Sequence, residues 1–205
     1  VPSRAAAHAE IEALAGCLGE AGHGVMQCTI GAGLFVEKLV DLALASDLAA
    51  RFRIRIFNTN DEIVAELLAH PASMLGLSDG GAHASQLCDA GAPTTLLGKW
   101  VREKRVLTLE EAVRRLTSEP ADVFGIKDRG RLAVGLAADV AVFDPETVAC
   151  APVRRVSEFP AGADRLVADA IGVRAVVVEG TVVREDGRDA VDAHGALPGR
   201  VLRGS

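Results

Sequence analysis

Up to about Arg129 the apolar positions recur mostly at helical spacing, broken by short apolar runs, and from Gly130 the repeat shortens to that of strands. Ile11, Leu14, Ala15 and Leu18 predict an amphipathic helix over residues 5–21, ended by Gly22 and Gly24. VMQCTI (residues 25–30) reads as a short strand, and Gly31 and Gly33 turn the chain into a helix whose stripe is Leu34, Phe35, Leu39, Leu42 and Ala43. Arg53 and Arg55 alternate with Ile54 and Ile56, which predicts a second strand over residues 54–57. Asn60 is placed to cap the next helix, with Ile63, Val64, Leu67 and Leu68 inward and His70-Pro71 as its stop. Residues 74–78 complete a third strand. Two βα units feeding a third strand predict parallel pairing with right-handed crossovers.

Leu96, Leu97, Trp100 and Val101 mark a helix running to about Arg105. Thr108, followed three residues on by Glu111, has the spacing of a capping box, and Leu109, Ala112, Val113 and Leu116 form the inward face behind it. Ser118 is placed to cap a short helix with Pro120 near its start and Gly125 at its end. Beyond it, ADVAVFD is expected as a buried strand, and residues 175–178 and 181–184 form a hairpin around Glu179-Gly180. The change of period divides the chain into residues 1–129 and a β-rich segment, 130–205.

Asp79 stands where the third strand runs out into Gly80-Gly81. In parallel α/β architectures the C-terminal strand edge is where loops surround a common crevice, so a carboxylate there is a candidate for chemistry. An Asx-turn, in which Asp79 only ties down the two glycines, fits the same residues. His83 follows in the same loop, as does Cys88, which reads as a buried thiol. Cys28, at a strand end, has no His placed by sequence to activate it as a nucleophile. Arg129 and Arg131 flank Gly130 and suit either a bound carboxylate or structural ion pairs, the pairs being favoured.

A chain of 205 residues supports one large or two small domains with a real core. The net charge of −6 gives no reason to expect nucleic acid or an anionic membrane as a partner. No apolar run approaches the ~20 residues of a membrane span, and no signal pattern opens the chain, so a cytoplasmic location is expected. The four cysteines lie far apart without a CxxC pair, which suggests reduced thiols rather than a disulfide framework or zinc knuckle. Val1 in place of Met suggests a fragment, or an alternative start codon read literally.

MLGLSDGGAH (residues 74–83), TSEPADVFGIKDRGRLAVGLAADVAVFD (117–144) and GALPGRVLR (195–203) together resemble the C-terminal part of a metal-dependent amidohydrolase. The likeness is greatest to the N-acyl-D-amino-acid deacylase, or D-aminoacylase-like, branch, and it covers most of the chain from about Ala49. It implies an α/β fold: the last βα units of a (β/α)8 TIM barrel in residues 1–129, then a β-sandwich segment in 130–205. A whole barrel takes roughly 250 residues, so a complete enzyme of this kind does not fit.

The resemblance further implies a hydrolase of amide C–N bonds acting on a small N-acylated amino acid through metal-activated water. Asp79 matches the Asp that ends the eighth barrel strand, contacts the metal weakly and handles the proton of the attacking water. His83, four residues on in the same loop, reads as a solvated loop His, the favoured reading, or as a residue facing the substrate. The implied cofactor is zinc, which lowers the pKa of its water and polarises the carbonyl. A catalytic zinc usually takes three protein ligands. Here the family's HxH pair has no counterpart, because His8, His23, His70, His83 and His194 are all isolated. The chain is therefore expected to be inactive alone, and to self-associate or to require a missing N-terminal barrel segment. A non-catalytic remnant of the fold and a cyclic-amide hydrolase remain as alternatives.

Overall fold

The computed structural model describes residues 25–27, 35–49, 51–53, 58, 60–76, 90–192 and 194–202. The chain divides into two units, Val1–Asp61 and Glu62–Ser205. In the first unit, strands β1 (Val25–Gln27) and β2 (Arg51–Arg53) pair in parallel, with Met26 opposite Phe52. Helix α1 (Phe35–Ala45) lies between them in sequence, as the pattern of a βα unit requires. Leu42 and Ala43 of its apolar stripe are half-buried, whereas Val40 and Leu44 are exposed. The helix expected over residues 5–21 and the strand expected over 54–57 lie outside the described residues.

The second unit contains helices α2 (Asp61–Ala69, its first residue excepted), α3 (Ala92–Thr95), α4 (Leu109–Leu116) and α5 (Ser118–Val123). Leu96, Leu97, Trp100, Ala112 and Val148 form its buried cluster, with Val64, Leu68, Leu75, Val113, Leu116 and Phe143 packed around it. Helix α2 turns Val64, Ala65 and Leu68 toward this cluster. Ile63 and Leu67, expected on the same face, are 55% and 57% exposed. At 100° per residue they sit one step round the helix, on the edge of the stripe.

Several local expectations are corrected by the structure. The helix after Pro93 is a π-helix over Leu96–Glu103, closed by the Lys104 N–H donating to the Lys99 carbonyl at 2.8 Å. Residues 74–76, expected to begin a strand, have no regular secondary structure. The capping box is half made: Thr108 Oγ1 accepts the Glu111 N–H at 3.2 Å, but the Glu111 carboxylate binds two arginines instead of reaching back. Thr117, not Ser118, stands at the N-cap of α5, and its hydroxyl donates to the Val113 carbonyl at 2.6 Å rather than capping.

Strands β3 (Val140–Phe143), β8 (Val173–Val178), β9 (Thr181–Glu185) and β10 (Arg188–Asp189) form an antiparallel sheet in the order β10-β9-β8-β3. Between β3 and β8 the chain makes two small antiparallel pairs: β4 (Ala149–Cys150) with β7 (Ala170–Ile171), and β5 (Arg154–Val156) with β6 (Arg165–Val167). The β8–β9 hairpin turns at Glu179-Gly180, both with positive φ, the conformation that matches strand twist in a two-residue loop. Strand β3 is half-covered rather than buried, since Val142 is 45% exposed while Val140 and Phe143 are half-buried. Of its residues, Phe143 packs against the helical cluster. No helix among the described residues is long and apolar enough to cross a membrane.

Candidate functional site

Asp79, His83 and Cys88 lie outside the described residues, as does Cys28. The segments on either side of residues 77–89 are described, and both are held firmly. Upstream, α2 ends at Ala69 and the chain turns through His70, Pro71 and Ala72 to Ser73. His70 Nδ1 accepts the Ala72 N–H at 3.1 Å, and Ser73 Oγ donates to the carbonyls of Leu67 at 2.5 Å and His70 at 2.8 Å. Leu75 then packs against the buried cluster.

Arg115 of α4 fastens this turn from below. Its side chain is 4% exposed. Nε donates to Glu111 Oε1 at 2.8 Å, Nη1 lies 3.3 Å from Ser73 Oγ and 3.4 Å from the Ser73 carbonyl, and Nη2 lies 3.4 Å from the His70 carbonyl. A buried cation is tolerated when it is both ion-paired and hydrogen-bonded. Glu111 supplies the charge and the carbonyls at the C-terminal end of α2 take the remaining donors, where the helix dipole also favours a cation. Arg114, with Nε 2.8 Å and Nη2 2.9 Å from Glu111, shares that carboxylate. These three hydrogen bonds, those from Arg114 first and that from Arg115 second, hold the Glu111 carboxyl at about 2, against an ordinary 4.5.

Downstream, the Thr95 N–H and Thr94 Oγ1 both donate to the Gly91 carbonyl, at 2.8 and 3.1 Å, to start α3. A Cβ at Gly91 would overlap Cys150 Sγ, so only glycine allows this approach to β4. The described residues on both sides of 77–89 are therefore anchored in the second unit.

The DRGR turn is a centre of ion pairs. Arg129 donates from Nε to Asp139 Oδ2 at 2.6 Å and from Nη1 to Asp128 Oδ2 at 2.9 Å, and Nη2 also pairs with Glu179. Arg200 reaches Asp128 and, at 3.1 Å, Glu179. Burial opposes the Arg129 charge, but its hydrogen bonds to Asp139 and Asp128 outweigh it and raise its pKa. Arg131 makes a two-pronged pair with Asp122, at 2.9 and 2.7 Å, lowering that carboxyl's pKa. Both arginines therefore serve structural pairs, and Gly130 explains the turn's shape. Its φ is +82°, and a Cβ there would lie 2.7 Å from Ala121 Cβ.

Zinc, the cofactor implied by the family resemblance, needs about three donors. Among the described residues no group of three or more His, Cys, Asp or Glu side chains is placed to hold a metal ion, so these residues by themselves do not fit it.

Arg115 is a residue that sequence reasoning passes over, although a signal for it is present. Ala112 and Arg115 are three residues apart on one stripe, and Glu111 precedes Arg115 by four, the spacing of an ion pair along a helix. Spacing says nothing of the two main-chain carbonyls, over forty residues earlier, that face it.

Residues 5–184 match the profile of the Amidohydrolase family. The N-acyl-D-glutamate deacylase of Alcaligenes xylosoxydans xylosoxydans is 40% identical over 150 residues, covering 72% of this chain and 28% of the relative. The dihydroorotase of Lactobacillus johnsonii is 49% identical over 53 residues, 26% of this chain and 12% of the relative. Among solved structures, the N-acyl-D-glutamate deacylase of Bordetella bronchiseptica, complexed with zinc and a phosphonate mimic of the tetrahedral intermediate, matches with a TM-score of 0.55 and 36% identity. That match covers 71% of this chain and 28% of the deacylase, so the chain spans under a third of the length of these deacylases. A profile match that runs through most of the sequence, supported by deacylase relatives in both sequence and α/β structure, establishes that this chain belongs to the amidohydrolase family, in its D-aminoacylase-like branch.

Proposed function

We propose that this chain is the C-terminal portion of a hydrolase that cleaves the amide C–N bond of N-acyl-D-amino acids, and that it is inactive alone. The observation that carries this reading is the 40% identity over 150 residues to an N-acyl-D-glutamate deacylase, within a family match that includes residue 79. In this reading residues 1–129 are the last βα units of the barrel and residues 130–205 a β-sandwich segment. The parallel β1–β2 pair and the antiparallel β3–β8–β9–β10 sheet support that division.

The chemistry asks little of this chain's own residues but asks it at one point. Water adds to the acyl carbon, the C–N bond breaks, and a proton passes to the leaving nitrogen, giving a carboxylate and a free D-amino acid. Asp79 is the carboxylate proposed to take the proton from the water and deliver it to the nitrogen. His83, four residues on, is proposed to face the substrate. No set of metal donors is complete among the described residues, so any zinc-dependent step requires ligands from elsewhere.

The test is an assay of N-acetyl-D-glutamate and other N-acetyl-D-amino acids with zinc, using this chain and the product of the longest reading frame that contains it. Turnover by the longer product and none by this chain alone supports the proposal. Turnover by the isolated 205-residue chain, or none by a longer product with its full complement of zinc, overturns it. The short dihydroorotase match favours a cyclic-amide substrate as the second reading, and a cyclic amide in the same assay separates the two.

A further inference from the structure

The GALPGRVLR motif, residues 195–203, has no part in the proposed chemistry, yet one of its side chains reaches back to the middle of the chain. Arg200 pairs with Asp128, 72 residues earlier, and its Nε lies 3.1 Å from Glu179 Oε1. We infer that residues 195–202 form a strap that opens and closes on the DRGR turn and the β8–β9 hairpin tip, with Arg200 as its ionic clasp. Its own conformation does not hold it in place. Residues 195–202 contain no helix or strand, and all are exposed except Pro198, which is half-buried. Leu197 and Val201 are 58% and 82% exposed, so apolar burial contributes little to docking. The main chain at Gly199 passes over Val178, whose Cγ1 would lie 3.9 Å from a Cβ there. Among the described residues, the only hydrogen bonds or ion pairs that tie residues 194–202 to any part of the chain before Asp192 are those of Arg200.

The clasp is separable because its two carboxylates already have a second partner. Arg129 binds both Asp128 and Glu179, and its side chain is 13% exposed where that of Arg200 is 58% exposed. Asp128 precedes the change of period at Gly130 and Glu179 follows it, so the covered Arg129 joins the two sides and Arg200 closes over them from outside. With the strap closed, the carboxylates of Asp128, Asp139 and Glu179 face two guanidiniums; with it open they face Arg129 alone, and their excess negative charge draws Arg200 back. An exposed ion pair is weakly held, which makes this closure reversible. Salt screens exposed charges strongly and covered ones much less. Ionic strength therefore releases the strap while Arg129 keeps the turn on the hairpin.

The test is NMR relaxation of the backbone amides of this chain, as the parent, Arg200→Gln and Arg200→Lys, in about 0.01 M and about 1 M sodium chloride. In the parent at low salt the order parameters of residues 195–202, Pro198 aside, are expected at about 0.8. They are expected to fall below about 0.6 in Arg200→Gln at either salt and in the parent at high salt, while residues 138–140 and 178–181 keep theirs. Arg200→Lys keeps the charge but loses the planar fork, so its strap should be ordered at low salt and released at less salt than the parent's. Residues 195–202 already mobile in the parent at low salt overturn the inference. So does parent-like order in Arg200→Gln, because other contacts would then hold the segment. Loss of order in residues 138–140 and 178–181 together with the strap also overturns it, since Arg200 would be part of one structural joint rather than a separable clasp. If Arg200→Gln does not fold, the salt series on the parent decides by the same outcomes.

Discussion

Arg129 Nε donates to Asp139 Oδ2 at 2.6 Å, while the other oxygen of Asp139 accepts the Glu179 main-chain N–H at 2.8 Å. Asp139 thereby links the DRGR turn to the β8–β9 hairpin tip. The Arg129 side chain is 13% exposed, whereas the Arg131–Asp122 pair stands in solvent at 50% and 60%. Arg129→Ala is therefore expected to lower the melting temperature clearly more than Arg131→Ala, since it takes the guanidinium from Asp139 and one of two arginine partners from Asp128 and Glu179 in a partly covered site. Paired thermal melts check the ranking, and equal shifts would refute it.

Trp100 is 7% exposed at the centre of the helical cluster, with Lys99 Nζ lying 4.6 Å from its ring centroid. Trp100→Ala is expected to destabilise the second unit by about 3–5 kcal/mol, the usual range for deleting a buried aromatic. A shift in the urea midpoint worth under about 1 kcal/mol would mean that Trp100 does not organise this core.

Gly130 and Gly135 both adopt positive φ, +82° and +90°, but only Gly130 has neighbours in the way of a Cβ. Alanine at Gly135 is expected to cost about 1–2 kcal/mol for backbone strain alone. At Gly130 the same change must also displace Ala121 or the Thr117 carbonyl, so it should cost more. Equal costs in chemical denaturation would show that the turn relaxes freely.

The Glu111 carboxyl titrates at about 2 in the folded chain, below its ordinary 4.5, because the Arg114 and Arg115 hydrogen bonds favour its charged form. A depressed carboxyl contributes stability that is complete above the unfolded value and disappears as pH falls from about 4.5 toward 2. Arg114 also binds Glu119 at 3.0 Å, so the pair is not isolated. Comparing Glu111→Gln with the parent removes the contribution of other carboxyls: the gap in denaturant midpoint should be full at pH 6 and close as the pH approaches 2. Parallel curves would contradict the assignment.

Asp79→Asn separates chemistry from turn-making. If Asp79 transfers the proton as proposed, its replacement is expected to lower kcat about 10²- to 10⁴-fold in whatever longer, zinc-loaded product shows turnover in the assay proposed above. Asparagine is an equally good Asx-turn residue, so a purely structural Asp79 predicts little change. Steady-state kinetics with zinc content measured alongside distinguishes the two.

Features held together by near neighbours in the chain were legible without a fold. The stripe of Leu109, Ala112, Val113 and Leu116 follows from helical period, and the β8–β9 turn from Glu179-Gly180. The family resemblance rested likewise on contiguous motifs. Other features did not follow from pattern, and some of them depended on groups that the sequence leaves far apart. Glu111 lost its capping contact because Arg114 and Arg115 compete for the same oxygens. Residues 96–103 wound as a π-helix where a helical pattern alone predicts ordinary turns. Val148, from a β-rich stretch, completes a core otherwise built from helices. Arg115 is the clearest case: helical spacing puts it on the inward stripe, but its burial depends on carbonyls more than forty residues upstream. Periodicity records which side of an element a residue occupies, whereas the partner that makes a buried charge tolerable is decided only when distant segments meet.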